Sequence, residues 1–153
     1  MQQLEILNSK RVKEILALIN EQWGCEWKTD LVFLLSSNDK IHVVSRGLEK
    51  LDTERMKIDS LGMYFAAFEN NELRLSIEGS QLIGPMAKHN VVEFSDEETR
   101  QWIAGGDIEK DTEWSGFVLI KHNKDFLGTG RVKEKKILNY FPKSRRVGAS
   151  ASQ

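Results

Sequence analysis

The chain has 153 residues, 40% hydrophobic and 29% charged, which suits one ordinary domain or two small ones and excludes a disordered chain. Its 22 Lys/Arg and 23 Asp/Glu nearly cancel. No apolar run reaches the roughly 20 residues of a membrane helix, and the start has no basic-then-apolar leader, so a cytoplasmic protein without a membrane partner is expected. Cys25 is the single cysteine, which rules out an internal disulfide and fits a reducing compartment.

In chain order, Asn8 or Ser9 can cap a helix whose Val12, Ile15, Leu16 and Ile19 recur every three or four residues, ending near Trp23–Gly24. Leu31–Leu35 and Ile41–Ser45 flank a polar SSNDK turn and read as a hairpin. Leu48 and Leu51 suggest a short helix or turn. Gly62–Glu69 and Glu72–Glu78 flank Asn70–Asn71, a pair that tolerates the positive φ of a tight turn. Gly79–Ala87 reads as a short helix interrupted by Gly84–Pro85.

A second unit begins near residue 88. Val91–Phe94 is a short strand, and Ser95 with Glu98 forms a capping box for a helix that runs to Ala104. Gly105 stands where a left-handed C-terminal cap belongs. Phe117–Ile120 is apolar on both faces and reads as a central strand. Asn123–Asp125 turns the chain into Phe126–Lys133. Strict alternation there puts Phe126, Gly128, Gly130 and Val132 on one side and Leu127, Thr129, Arg131 and Lys133 on the other. A last strand, Ile137–Phe141, precedes Pro142, and GASASQ at the end reads as a loose tail. Short strands with regular turns argue for a small barrel.

Charge is segregated along the chain. Residues 116–153 hold nine Lys/Arg against two acids, Asp125 and Glu134, near +7; residues 1–115 hold 13 basic and 21 acidic residues, or −8. Such asymmetry suggests a polyanion partner for the basic part, because each neutralised phosphate releases condensed counterions. Lysine-rich turns such as KEKK also protect sheet edges, which accounts for Lys135 and Lys136 but less well for the whole cluster.

Other chemistries find little support. His42, His89 and His122 are far apart and lack ligand-spaced partners, so no metal is expected. Gly128-Thr-Gly130 lacks the third glycine and the following helix of a dinucleotide fingerprint, so no cofactor is expected. Asp107 and Asp125 suit turns, Asp96–Glu98 suit a helix N-terminus, and no nucleophile–base set offers itself. Trp23 and Trp27 suit anchors for a docked helix.

The order of motifs adds a resemblance. AGGDI (Ala104–Ile108), GFVLI (Gly116–Ile120) and FLGTGRV (Phe126–Val132) resemble a PUA domain, a small RNA-binding pseudo-barrel. SLGMYFAAF (Ser60–Phe68), ELRLSIEGSQLIGPMAK (Glu72–Lys88) and VVEF (Val91–Phe94) resemble the N-terminal half of Nip-type pre-ribosomal factors. FLGTGRVKEKKILNYFPKSRR resembles the PUA-like tails of Nol/Nop/Sun (Fmu) RNA 5-methylcytosine methyltransferases. The cofactor-binding half and the paired, proline-flanked cysteines of those enzymes are missing from this sequence, so only the role of the tail carries over.

The expected fold is therefore α+β: a mixed α/β domain over residues 1–88, a PUA-like β pseudo-barrel over 89–148 and a tail over 149–153. The expected function is non-catalytic RNA binding in ribosome biogenesis or in modification of rRNA or tRNA. Lys121, Lys124, Arg131, Lys133, Arg145 and Arg146 would hold phosphates, with Arg131 and Lys133 outside the barrel, Lys143 would join them on the RNA-binding face, and His122 or Tyr140 would touch bases. Two other readings are an adaptor that docks a pre-ribosomal protein or an RNA methyltransferase, and a small nucleotide- or RNA-acting enzyme.

Overall fold

The computed structural model describes residues 4–45 and 62–146. The segment with Leu48 and Leu51 and the tail from Val147 onward lie outside the described residues. The fold is α+β and has two five-stranded sheets.

The first sheet is an antiparallel meander of β1 (Leu4–Ile6), β2 (Val32–Ser36), β3 (Lys40–Val44), β4 (Met63–Glu69) and β5 (Glu72–Leu75). Helix α1 (Ser9–Trp23) sits between β1 and β2 in sequence. The Asn8 side chain caps it by accepting the Arg11 N–H at 2.9 Å. Gly24, at φ 67°, ends it and donates to Asn20 O at 2.8 Å, the left-handed stop that glycine adopts without strain. The helix buries Ile15, Ile19 and Trp23 against Phe33, Phe65 and Leu73. Trp27 stacks on Phe65 with ring centroids 5.4 Å apart.

Asn70 and Asn71, at φ 52° and 65°, turn β4 into β5 as their residue types predict. The strand expected over Glu72–Glu78 stops early, at Leu75. Ser76 instead caps α2 (Ile77–Ile83): its hydroxyl accepts the Gly79 N–H at 2.9 Å and donates to Tyr64 O at 2.6 Å. A serine that can satisfy both a helix start and a neighbouring strand favours the cap over continued alternation. A 3₁₀ turn, Gly84–Met86, follows.

The second sheet runs in the order β6 (Val91–Glu93), β8 (Gly116–His122), β9 (Asp125–Lys133), β10 (Lys136–Asn139) and β7 (Ile108–Glu109), and it curls as a half-barrel. Strand β6 is parallel to β8 and the other pairs are antiparallel. The last strand ends at Asn139, earlier than its apolar pattern suggests, because the Asn139 amide turns inward to Trp102 O and Gly106 O, both at 2.8 Å. Helix α3 (Asp96–Ile103) carries the full capping box: Ser95 Oγ accepts from Glu98 N and Glu98 Oε1 from Ser95 N. Its Trp102 is fully buried among Phe94, Val118, Ile120 and Ile137. Gly130 faces this ring; a Cβ there would come within 2.7 Å of Trp102 and Ile137.

The expected alternation of β9 does not hold. Lys121 pairs with Phe126 and Leu119 with Thr129, so one residue of β8, Ile120, faces two of β9, Leu127 and Gly128. This bulge, with Gly128 at φ 94°, inverts the side-chain phase at mid-strand. Leu127 and Val132 both pack on the Trp102 cluster, whereas Phe126 packs with Phe117 and Leu119 in the core of the first sheet. Thr129 and Arg131 consequently face the first sheet, and Arg131 does not stand clear outside a barrel. The bulge also aims the Gly128 N–H at Ser80 Oγ, 2.9 Å away, while the Thr129 hydroxyl donates to Leu75 O at 2.9 Å. The second sheet thus packs on both faces, and its seam with the first sheet is a shared core. Among the described residues, no helix is long and apolar enough to cross a membrane.

Candidate nucleic-acid interface

The nine basic side chains after Gly116 separate into groups with different surroundings. Arg131 is half-buried: its guanidinium lies 5.0 Å over the Phe117 ring and 3.8 Å from Glu72. Arg145 pairs with Glu78 at 2.6 Å. Arg146 donates from Nε to Phe141 O at 3.2 Å and lies against Gly105. Part of the charge segregation is therefore answered within the molecule, because basic residues of the second sheet and its C-terminal turn meet acids of the first half.

Lys133 is exposed and flanks the Glu134–Lys135 turn beside Lys110, Lys135 and Lys136. That shallow depression is of mixed charge, since Glu109, Asp111 and Glu134 share it, and Lys110 is bound to Glu98 at 3.1 Å. Lys143 is exposed on a 3₁₀ turn, Lys143–Arg145.

His122 turns away from Lys121. Its Nε2 lies 2.7 Å from Asp96 Oδ1, and the hydrogen bond from His122 holds the Asp96 carboxyl below its ordinary range. Tyr140 meets Phe117 edge to face at 5.6 Å, with the Arg74 guanidinium 5.3 Å from its ring.

Lys121 and Lys124 share a different environment. They line a cleft of about 400 Å³ with Lys88, His89, Trp114 and Phe126, and no acidic side chain lines it among the described residues. The Lys121 ammonium lies 5.8 Å over the Phe126 ring. His89 and Trp114 sit with ring centroids 6.1 Å apart, tilted by 36°. The cleft draws on both halves of the chain. The Lys88 N–H donates to Trp23 O at 2.8 Å, His89 Nε2 lies 3.2 Å from Glu21 O, and the Asn90 amide donates to Gln22 O. These bonds fasten residues 88–90 to the C-terminal end of α1, while Leu119 N donates to Asn90 O at 2.8 Å and ties the same segment to β8. The result is a fixed concave wall of three ammonium groups and two aromatic rings, suited to phosphates and to stacked planar groups.

Of the side chains anticipated from sequence, only Lys121 and Lys124 line this cleft. Counting charge from Gly116 onward passes over Lys88, His89 and Trp114, which precede that point. The KHN triplet and the tryptophan of DTEWSG were the available signals, but nothing local places them beside Lys121.

Residues 89–147 match the family described as the methyltransferase RsmF PUA domain. No curated protein matches the chain. The matched stretch begins at His89, within the segment that joins α1 to β8, and takes in the whole half-barrel with its Trp102 core. The C-terminal part of this chain is thus a PUA domain of the kind carried by Sun/Fmu-type RNA methyltransferases.

Proposed function

We propose that this protein binds RNA in the cleft where residues 84–91 meet Trp114 and the β8–β9 hairpin, and acts as a non-catalytic factor in rRNA or tRNA modification or in ribosome biogenesis. One observation carries the reading: Lys88, Lys121 and Lys124 converge with Trp114 and His89 on a wall that has no acidic side chain among the described residues and is built partly from the PUA domain. In this reading the three ammonium groups hold successive phosphates, and the rings give an unstacked base a sequence-tolerant surface. The work done is positioning. Phosphate contacts set register on the RNA and carry little sequence information. A cytoplasmic site of action accords with Cys25, a buried free thiol.

The test is the full chain against Lys121→Gln/Lys124→Gln, titrated with one short single-stranded RNA over a salt series. Lys124 is exposed and Lys121 half-buried; surface substitutions of this type usually change stability by less than about 0.5 kcal/mol. Affinity should drop for all sequences alike, and the slope of log affinity against log salt should flatten by about 0.7 per lost phosphate contact. A folded double variant with unchanged affinity and slope would remove the cleft from RNA binding.

A further inference from the structure

A second cleft opens at the other end of α2, with a volume of about 430 Å³. Its described lining comes from β4, β5, the start of α2, β9 and the segment from Tyr140 through the C-terminal 3₁₀ turn, and includes Tyr64, Arg74, Tyr140, Glu78 and Arg145. We propose that this cleft is a guanine subsite that receives one unstacked base; the proposal rests on the RNA-binding reading above and deepens it.

The size lies in the range of about 300–1,000 Å³ usual for sites that enclose a small ligand. Met63, Leu75 and Ile77 supply apolar surface, and two tyrosine rings supply aromatic surface. The Arg74 guanidinium sits on the Tyr140 ring at 5.3 Å and is held from behind by Glu69 at 3.3 Å. Planar guanidinium and aromatic faces of this kind stack splayed-out bases. Burial pushes the Tyr64 phenol up, so that wall stays neutral at physiological pH.

The cleft is also preformed. The Thr129 hydroxyl donates to Leu75 O at 2.9 Å, and the Ser76 hydroxyl to Tyr64 O at 2.6 Å. Both bonds fix the backbone that carries the lining side chains.

The choice of base follows from Glu78 and Arg145. They lie 2.6 Å apart with side chains 39% and 49% exposed, so a carboxylate acceptor and a fork of donors stand side by side within reach of solvent. Guanine presents two adjacent donors, N1–H and N2–H₂, to a carboxylate. It also presents two acceptors, O6 and N7, to a guanidinium. Uracil has a single imino donor, and adenine lacks a carbonyl. Guanine therefore uses both members of the pair in two-pronged fashion. In the structure the two groups satisfy each other at 2.6 Å, so neither is left without a partner.

The experiment uses the full chain and labelled hexanucleotides: all-uridine, and the same sequence with one guanosine or one adenosine at the third position. The guanosine hexamer should bind about tenfold tighter than the other two, within the discrimination expected of a good two-pronged contact. Glu78→Gln, and independently Arg145→Gln, should bring that ratio near one. Lys121→Gln/Lys124→Gln should weaken all three hexamers and keep the ratio. In a parallel arm, guanosine monophosphate is added while the tyrosine ring resonances are followed by NMR. Equal binding of all hexamers by the wild type overturns the guanine subsite and leaves the RNA reading standing. Shifts of the Tyr64 and Tyr140 resonances with no hexamer bound would keep the guanine subsite, identify free nucleotide as its occupant and overturn the RNA reading. No response to hexamers or nucleotide overturns both.

Discussion

Phe126 is the sharpest test of the shared core. It lies on β9, is 5% exposed and packs with Phe117 and Leu119 among side chains of the first sheet. Its ring also lies against Gly84, close enough that a Cβ there would come within 2.4 Å, and Lys121 covers it at 5.8 Å. Phe126→Ala removes most of a buried ring from a site with fixed walls. Cβ-bearing neighbours cannot close in from Gly84, so collapse will be partial, and the cost should be about 3–5 kcal/mol. That is a large share of the roughly 5–15 kcal/mol that holds a typical domain folded. For a chain of this length each kcal/mol lowers Tm by about 2–4 °C, so the midpoint should drop by roughly 6–20 °C. Calorimetry of wild type and variant is the assay, with calorimetric and van't Hoff enthalpies compared. Because the seam is continuous core, unfolding should stay a single cooperative transition in both proteins. A shift below about 2 °C, or a wild type that melts in two separate steps, would refute the view that the sheets are joined by shared packing.

Two further outcomes follow from local contacts. Gly130→Ala places a methyl within 2.7 Å of Trp102 and Ile137; overpacking of that kind should cost about 1–3 kcal/mol, read as a lower urea midpoint with an unchanged slope. For Asp96, the carboxyl is held below its ordinary value chiefly by the hydrogen bond from His122. A depressed carboxyl contributes stability that is present above its unfolded value and lost as pH falls through its folded one. Asp96→Asn should therefore reduce the fall in urea midpoint on acidification below about pH 4, and an acid limb identical to wild type would remove the His122–Asp96 contact from the account.

Much of the local structure could be read from residue order. Asn8, Gly24, Asn70–Asn71 and the Ser95/Glu98 box act through their own backbone and near neighbours, so the elements they start and stop are written in a few consecutive residues. The four-residue apolar run Phe117–Ile120 likewise announced a strand buried on both faces. The motifs from Ala104 to Val132 were enough to suggest the PUA domain. Position relative to distant residues was not legible. Strict alternation along Phe126–Lys133 fails because one bulge at Gly128 inverts every side chain beyond it, and that bulge answers to Ser80, 48 residues away. Formal charge counted Arg131 and Arg145 as available cations, yet the tertiary fold brings Glu72 and Glu78 to them. The same fold carries Lys88 and Trp114 to Lys121, making a basic, aromatic cleft from residues no local pattern connects. Sequence determined which charges and rings the protein has; the closure of one sheet on the other decided which of them neutralise each other and which remain to meet a partner.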